Sequence, residues 1–573
     1  MPNETKPLLA AVCAIHSQYI HSALAPWYLA AAAQEYCRHA VDVTVLEHTV
    51  NQPDDEIVRS VAACPAKVIG LSCYIWNIQT VRRILPRLAL LRPDVTWLLG
   101  GPEVSFCPEK ILQELPMVAF LIAGEGERPF ALLLDYLAGG DGDPADIPGV
   151  CYRTGDGAAV AKPPFYTKEE PPSPYTPWYF RSLKGRIAYL ETSRGCPFSC
   201  AFCLSGRQDQ VRFFSLDRAK ADILRLANAG CRTVKLVDRT FNCHKQRCYE
   251  LISFLLKEYG KGIPPGVCFH FEVAADLFDE PTLRLLETAP PGFIQMEAGL
   301  QSFHLPTLQA VTRKTDLDAL CRVIARLLRP GNIHIHIDLI AGLPYEDWDT
   351  FAYSFDRAYV LQPHMLQLGF LKLLYGARLR READEYGYVY SDTPPYELKC
   401  SRWMTPVQLA RLHDTEQALD RLYNSGRFRL TLAYALKATG MRPFELFDRF
   451  GEYAAQAGKP GMSLDDYTGL VLDWFSRQPG IDPVWLRDVL TCDSLRSRAG
   501  GLLPPCLRQE DRRPRRVLRE LSRQGGGKKS LGRAAAMLYA GNPRVVAAEY
   551  TKENRNPVTG CYPLRFYPLE TIL

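Results

Sequence analysis

Short apolar runs alternate with amphipathic stretches along the first two thirds of the chain, and beyond that the strand-like runs stop. Within the first 150 residues the runs LLAAVCAIH, VDVTVLEH, KVIGLSCYIW, VTWLLGGPEV and VAFLIAGEGE have strand length and are mostly apolar throughout, as strands covered on both faces are. Between them, LAPWYLAAAAQEYC and QTVRRILPRLALL space their apolar residues three to four apart, which is the period of a helix face. Strand and helix in turn predict a doubly wound, Rossmann-like α/β domain over residues 1–150, with its ligand beyond the carboxyl ends of the strands.

The proline-rich PPFYTKEEPPSPYTPWYF marks residues 151–184 as a semi-rigid linker. From Arg186 the alternation resumes. Strands are predicted at RIAYLETS, CRTVKLVD, GVCFHFEV, FIQMEAGLQS, NIHIHIDLIAGLP and MLQLGFLKLL. Helical segments such as SLDRAKADILRLANAG, HKQRCYELISFLLKEYG, TDLDALCRVIARLLRPG and TFAYSFDRAYVLQ lie between them. Six βα units over residues 185–390 predict a parallel sheet wrapped by helices. Residues 391–573 read as a mainly helical domain. Trp403, Tyr423, Tyr434 and Trp474 are expected in its packing, and a terminal hairpin is expected around Asn556-Pro557.

Composition narrows the class without naming a chemistry. A chain of 573 residues exceeds one compact core, and 47% hydrophobic with 23% charged residues is ordinary for a globular protein. A net charge of +5 over this length argues for no polyanionic partner. Ten Lys or Arg against three Asp or Glu between Arg508 and Arg533, around GGGKK, form a local exception. It reads as a solvated linker, with contact to tRNA or another polyanion as the alternative. Eighteen cysteines, without a secretory signal or a membrane-spanning apolar run, predict reduced thiols, a cytoplasmic setting and no membrane partner.

The chemistry sits in GCPFSCAFC, where Cys196, Cys200 and Cys203 follow a Cys-x3-Cys-x2-Cys spacing and Phe202 precedes the third. A tetrahedral zinc site or an electron-carrying cluster wants four protein ligands, so three thiolates point to a [4Fe–4S] cluster with one open iron. The scattered Cys400, Cys492, Cys506 and Cys561 offer no second cluster set.

This spacing, on the loop after a strand, resembles the radical S-adenosylmethionine (radical SAM) superfamily. The resemblance implies a partial (β/α)6 barrel, with S-adenosylmethionine chelated at the open iron and cleaved to a 5′-deoxyadenosyl radical. Active groups of such barrels gather at the carboxyl ends of the strands. On that basis it assigns Phe202 to S-adenosylmethionine, Asp238 to its amino group and Arg313 to its carboxylate. Gln301 and Ser302 go to the ribose, with Glu297 in the alternate register, and Ile340 and Gly342 to the adenine.

The first domain ends its strands in Ser72, in Gly100-Gly101 and in Gly124-Glu125-Gly126-Glu127. This set resembles the cobalamin-binding domain of the cobalamin-dependent radical SAM branch, whose small residues admit a corrinoid tail. Ser72, Gly100, Gly101, Gly124 and Glu125 are the contacts it implies. None of His16, His21, His39 or His48 lies in an Asp-x-His-x-x-Gly pattern, so cobalamin is expected without a histidine ligand.

Together these resemblances imply methyl transfer to an unactivated carbon of a small-molecule or peptide substrate, with flavodoxin or ferredoxin as reductant. A radical rearrangement or cyclisation, a tRNA-modifying activity, and a non-catalytic Fe–S or corrinoid sensor remain the alternatives.

Overall fold

The computed structural model describes residues 6–207, 210–457, 461–499, 502–524 and 532–569. They fall into two compact units. The first is Met1–Glu272 with Val311–Arg313 and Lys372–Leu398, and the second is Val273–Ala310, Lys314–Leu371 and Lys399–Leu573.

The first unit begins with a seven-stranded sheet. Its strands are β1 (Leu8–His16), β2 (Val41–Thr49), β3 (Val68–Ser72), β4 (Thr96–Gly100), β5 (Val118–Ile122), β6 (Val150–Arg153) and β7 (Ala159–Val160), in the order β2-β1-β3-β4-β5-β6-β7. β1 to β5 run parallel, whereas β6 and β7 are antiparallel. Alternate residues of β1 feed different cores. Ala11, Cys13 and Ile15 pack with the helices Asp54–Ala62 and Ile78–Leu91, while Ala10 and Val12 pack with Ala33 of Ala25–Tyr36 and Phe130 of Glu127–Leu137. Helices therefore cover both faces, which is the doubly wound arrangement. The sheet continues past residue 150, through strands too short to show a period in the sequence, so the expected linker begins inside it.

The unit also carries β8 (Ala188–Leu190), then β9 (Ser193–Arg194) paired antiparallel with β10 (Arg212–Phe213), then β11 (Thr233–Leu236) and β12 (Cys268–Val273). β11 lies parallel between β8 and β12. The β9–β10 pair brackets the cysteine loop.

In the second unit β13 (Ile294–Gln301), β14 (His334–Ala341) and β15 (Met365–Phe370) run parallel with β14 in the middle. The six barrel strands thus occur where the apolar runs predict them. A helix unread in the sequence, Glu280–Glu287, starts at Asp279, whose carboxylate accepts a hydrogen bond from the Thr282 N–H at 3.1 Å.

β16 (Val389–Tyr390) pairs with β17 (Leu398–Cys400). The helices Pro406–Leu419, Arg429–Thr439, Pro443–Ala457, Leu464–Ser476 and Pro483–Ser497 follow. Their core is aromatic: the Phe450 ring centroid lies 5.3 Å from that of Trp474 and 6.0 Å from that of Phe475. Tyr423 and Trp474 are buried, whereas Trp403 and Tyr434 are half-buried. The chain closes with β18 (Arg533–Leu538), β19 (Arg544–Glu549) and β20 (Leu564–Pro568), an antiparallel sheet in which the expected hairpin, β19–β20, gains a third strand. β18 reads RAAAML, and its alanines hide a strand from propensity. Arg513–Gln524 of the basic segment is helical, and the GGGKK turn lies outside the described residues. Among the described residues no helix is long and apolar enough to cross a membrane.

Candidate functional site

Gly195, at φ +95°, turns the chain out of β9 into the cysteine loop. The loop returns so tightly that a Cβ on Gly206 would lie 1.8 Å from the Phe198 carbonyl oxygen, a close approach that only glycine permits. Cys200 is buried, Cys196 and Cys203 are half-buried, and all three are free thiols. The Ser205 N–H donates to Cys203 Sγ at 3.4 Å, and Cys196 Sγ lies 3.3 Å from Thr240 Oγ1. Arg313 sits over the Phe198 ring at 5.1 Å, with Nη1 4.0 Å from Cys200 Sγ. Burial pushes the Cys200 thiol up. Arg313 opposes this, and the neighbouring Cys203 and Cys196 add to it. Three soft donors gathered on one loop, with N–H and guanidinium groups on their sulfurs, suit an iron–sulfur cluster.

The loop does not stand alone. Gly195, Phe202 and Cys203 line a cavity of about 1100 Å³ in the first unit, together with Ser72, Gly100, Gly101, Gly124 and Glu125. Ordinary small-molecule sites hold roughly 300–1,000 Å³, so this one has room for a large cofactor. Its wall at Gly70 and Gly100 carries no side chain, and a Cβ built on Gly100 meets nothing nearer than 3.8 Å. Tyr74 and Trp76, stacked at 4.4 Å and 7°, add an aromatic plate to the same wall. Gly101 and Gly124 are glycines for another reason. Both have positive φ, and a Cβ would come within 2.5 Å of Cys73 O and 2.2 Å of Phe165 O respectively. Their identity answers main-chain packing as well as any ligand. Ser72 Oγ donates to the Cys13 carbonyl at 3.4 Å.

The Gly-Glu-Gly-Glu strand end does more than leave space. Arg194, the residue before Gly195, donates to Glu125 at 3.2 Å, to Glu127 at 2.5 Å and to Glu191 at 2.8 Å, and Arg212 adds a 2.8 Å contact to Glu125. Burial works against the Glu127 carboxylate, yet Arg194 holds it below the usual range. Burial likewise works against the Arg194 charge, and Glu127 and Glu191 hold its pKa raised. Glu125 is thus engaged by two guanidinium groups that fix the entry to the cysteine loop.

Asp238 is placed differently from expectation. It is 2% exposed, and its carboxylate accepts hydrogen bonds from Thr192 N at 2.8 Å, Thr192 Oγ1 at 2.6 Å and Ser193 Oγ at 2.7 Å. Burial raises its pKa despite these bonds. It braces β8 and β9 and does not line the cavity, so it is no open carboxylate for an ammonium. Ser302 is likewise engaged within the protein. It is fully buried, and its hydroxyl donates to Glu346 at 2.6 Å. Gln301 instead has φ +74°, and its side-chain oxygen is buried without a hydrogen bond, the kind of strain that collects at ligand sites. Glu297 and Ile340 are half-buried, and Gly342, at φ +90°, is buried.

The cavity also brings in Arg239 and, unread in the sequence, Glu191, Arg194, Lys235 and Glu272. Arg239 Nη1 is 3.5 Å and Lys235 Nζ 4.0 Å from the Glu272 carboxylate. A period-two count along β11 and β12 would have found Lys235 and Glu272.

Residues 11–134 match the B12 binding domain family, and residues 190–358 match the radical SAM superfamily. The chain joins a B12-binding domain to a radical SAM domain. Residues 384–551 match a family described as a protein of unknown function, DUF4080. The cobalamin-dependent radical SAM methyltransferase TokK of Streptomyces tokunonensis is 29% identical over 306 residues, which is 50% of this chain and 43% of that protein. The chain therefore spans less than half of that relative's length. An anaerobic magnesium-protoporphyrin IX monomethyl ester cyclase of Rubrivivax gelatinosus is 24% identical over 418 residues, 69% of this chain and 71% of the cyclase. The solved structure of the cobalamin-dependent S-adenosylmethionine radical enzyme OxsB, with aqua-cobalamin and S-adenosylmethionine bound, shares the fold. Its TM-score is 0.61 at 16% identity, over 85% of this chain and 79% of that one. A radical SAM domain implies a [4Fe–4S] cluster and S-adenosylmethionine, and a B12-binding domain implies cobalamin.

Proposed function

We propose that this protein is a cobalamin-dependent radical SAM methyltransferase acting on an unactivated carbon of a small-molecule or peptide substrate. The observation that carries the reading is one cavity walled both by the cysteine loop and by the strand ends of the B12-binding domain. When bound, the cluster with S-adenosylmethionine supplies hydrogen abstraction and cobalamin supplies methyl transfer.

The chain's own residues do the positioning. Cys196, Cys200 and Cys203 hold the cluster, with Arg313 beside Cys200 favouring its thiolate. Ser72, Gly100 and Gly101 wall the cobalamin slot, and Arg194 locks the loop to Glu125 and Glu127. Phe202 faces the cavity beside Cys203. In the second unit, Gln301 would hold the ribose, and Ile340 and Gly342 the adenine. Lys235, Arg239 and Glu272 make the cavity wall charged, which suits a polar substrate. A flavodoxin or ferredoxin in a reducing cytoplasm supplies the electron.

The test is anaerobic incubation of the reconstituted protein with S-adenosylmethionine, cobalamin and a reductant. Formation of both 5′-deoxyadenosine and S-adenosylhomocysteine supports methyl transfer. The extent of the match to the cyclase favours, as second reading, a radical cyclisation or rearrangement, which would give 5′-deoxyadenosine without S-adenosylhomocysteine. Binding of S-adenosylmethionine without cleavage would leave a sensor.

A further inference from the structure

In the second unit, parallel β13 and β14 place Glu297 directly opposite His336. Side chains alternate along a strand, so Glu297 shares one face with His336 and Asp338. The opposite face is apolar and buried: Met296, Ala298 and Leu300 on β13, and Ile335, Ile337 and Leu339 on β14. Two carboxylates and an imidazole are thus crowded on a largely buried face. Carboxylates and an imidazole gathered in this way are donors that suit a divalent cation.

The spacing is that of ligands around one ion. Glu297, His336 and Asp338 each offer a ligand atom, and these atoms lie within 4.8 Å of one another. Asp338 Oδ1 is 2.7 Å from His336 Nε2, and Glu297 Oε2 is 4.0 Å from His336 Nδ1. Asp338 Oδ1 is buried, yet the short contact is not in line for a hydrogen bond. Ligands sit about 2.0–2.2 Å from a first-row ion, so two of them span up to about 4.4 Å across it. A small side-chain rotation closes the remainder.

The geometry points to a binding site for a divalent first-row metal ion, Mn²⁺ or Fe²⁺, held by Glu297, His336 and Asp338. Two carboxylates and one imidazole form a harder donor set than the thiols of the cysteine loop, and soft thiolates would compete for zinc or copper before manganese. Three protein ligands leave coordination positions open, where a carboxylate, phosphate or hydroxyl oxygen of a substrate binds. Glu297 thereby leaves the S-adenosylmethionine contacts and becomes a metal ligand. The inference does not depend on the methyltransferase reading.

The experiment is a titration of Mn²⁺ into the full chain, reconstituted with its cluster in the oxidised, EPR-silent state, following the EPR signal of free Mn²⁺. One ion per chain should be sequestered, His336→Ala should abolish this, and Glu297→Gln and Asp338→Asn should each weaken it. Loss of a ligand should cost at least the roughly 10–100-fold that follows loss of an outer-shell partner. Iron content and thermal unfolding of the metal-free variants report that the fold is intact, and if His336→Ala does not fold, the isosteric Glu297→Gln carries the test. No sequestration by the parent chain, or parent-like sequestration by the folded variants, would overturn the site.

Discussion

In the first unit Glu125, Glu127 and Glu191 close around Arg194 beside the cysteine loop, whereas in the second unit Glu346 and Asp493 are buried among hydroxyl and amide donors. Glu346 accepts from Ser302 Oγ at 2.6 Å and from Ser354 Oγ at 2.9 Å. Asp493 accepts from the N–H groups of Leu430 at 3.1 Å and Thr431 at 2.8 Å, and from Thr431 Oγ1 at 2.9 Å. Burial pushes Glu346 up to about 7 and Asp493 up to about 6 against these bonds. Both units bury carboxyl groups, and the second also pairs one with a guanidinium, Asp448 with Arg411 at 2.5 and 2.6 Å, but the Arg194 cluster of the first lies at a cavity wall. Fixed ion pairs preorganise a field where chemistry is to occur, while carboxyls among hydroxyl and amide donors join elements, with burial raising their pKa.

The largest way to break this contrast is Arg194→Ala, which takes the shared guanidinium from Glu127 and Glu191 and leaves Glu125 with Arg212. Removing one partner of a buried pair costs about 3–5 kcal/mol, so denaturant unfolding should show a loss of that order, with Arg194→Lys recovering part of it. Parent-like stability of the alanine variant would mean that Arg194 is not the counter-charge holding the loop.

In the second unit the lever is pH. A carboxyl whose folded pKa is raised contributes stability that is fully present below its unfolded pKa and is lost as pH rises through the folded value. For Glu346 the window runs from 4.5 to about 7, and for Asp493 from 3.8 to about 6. These shifts correspond to roughly 3 kcal/mol each. Unfolding free energy should therefore fall between about pH 4 and 7 by a few kcal/mol, and Glu346→Gln should flatten the upper part of that slope. An unchanged slope in the variant would show that Glu346 is ionised throughout.

Asp238 lies in the first unit but behaves like the carboxyls of the second, which sharpens the comparison. Asp238→Asn should destabilise by about 1–3 kcal/mol, because an amide N–H would then face the donors of Thr192 and Ser193. Affinity for S-adenosylmethionine, titrated against the folded variant, should not change. A tenfold loss of affinity without loss of stability would restore the role that the resemblance implies. Arg313→Ala should have a smaller effect, about 1 kcal/mol at the Cys200 thiolate, read as severalfold faster loss of iron to a chelator. Iron retention equal to that of the parent would separate Arg313 from the cluster.

The strands of both sheets could be read from the sequence because burial on two faces leaves an apolar run such as LLAAVCAIH, and one apolar face leaves the alternation of NIHIHIDLIAGLP. β6, β7 and β18 could not, being too short or too rich in alanine to show a period. The cysteine loop was legible because its spacing is itself the chemistry. The internal partners of Asp238 and Ser302 were not legible, because a polar residue at a strand end looks the same whether it meets a cofactor or braces its neighbours. The role of Arg194 was hidden by distance along the chain, since Glu125 lies 69 residues away and only the fold brings them together.

The central claim is that the cysteine loop and the cobalamin slot share one cavity, and EPR of the chain loaded with Co(II) cobalamin and a reduced cluster tests it most directly. The account predicts a Co(II) signal without nitrogen splitting from a histidine, broadened or split by the cluster spin, and relieved of that splitting in the Cys196→Ala, Cys200→Ala, Cys203→Ala triple variant. A Co(II) signal identical in the parent chain and the triple variant would place the two cofactors apart and contradict it.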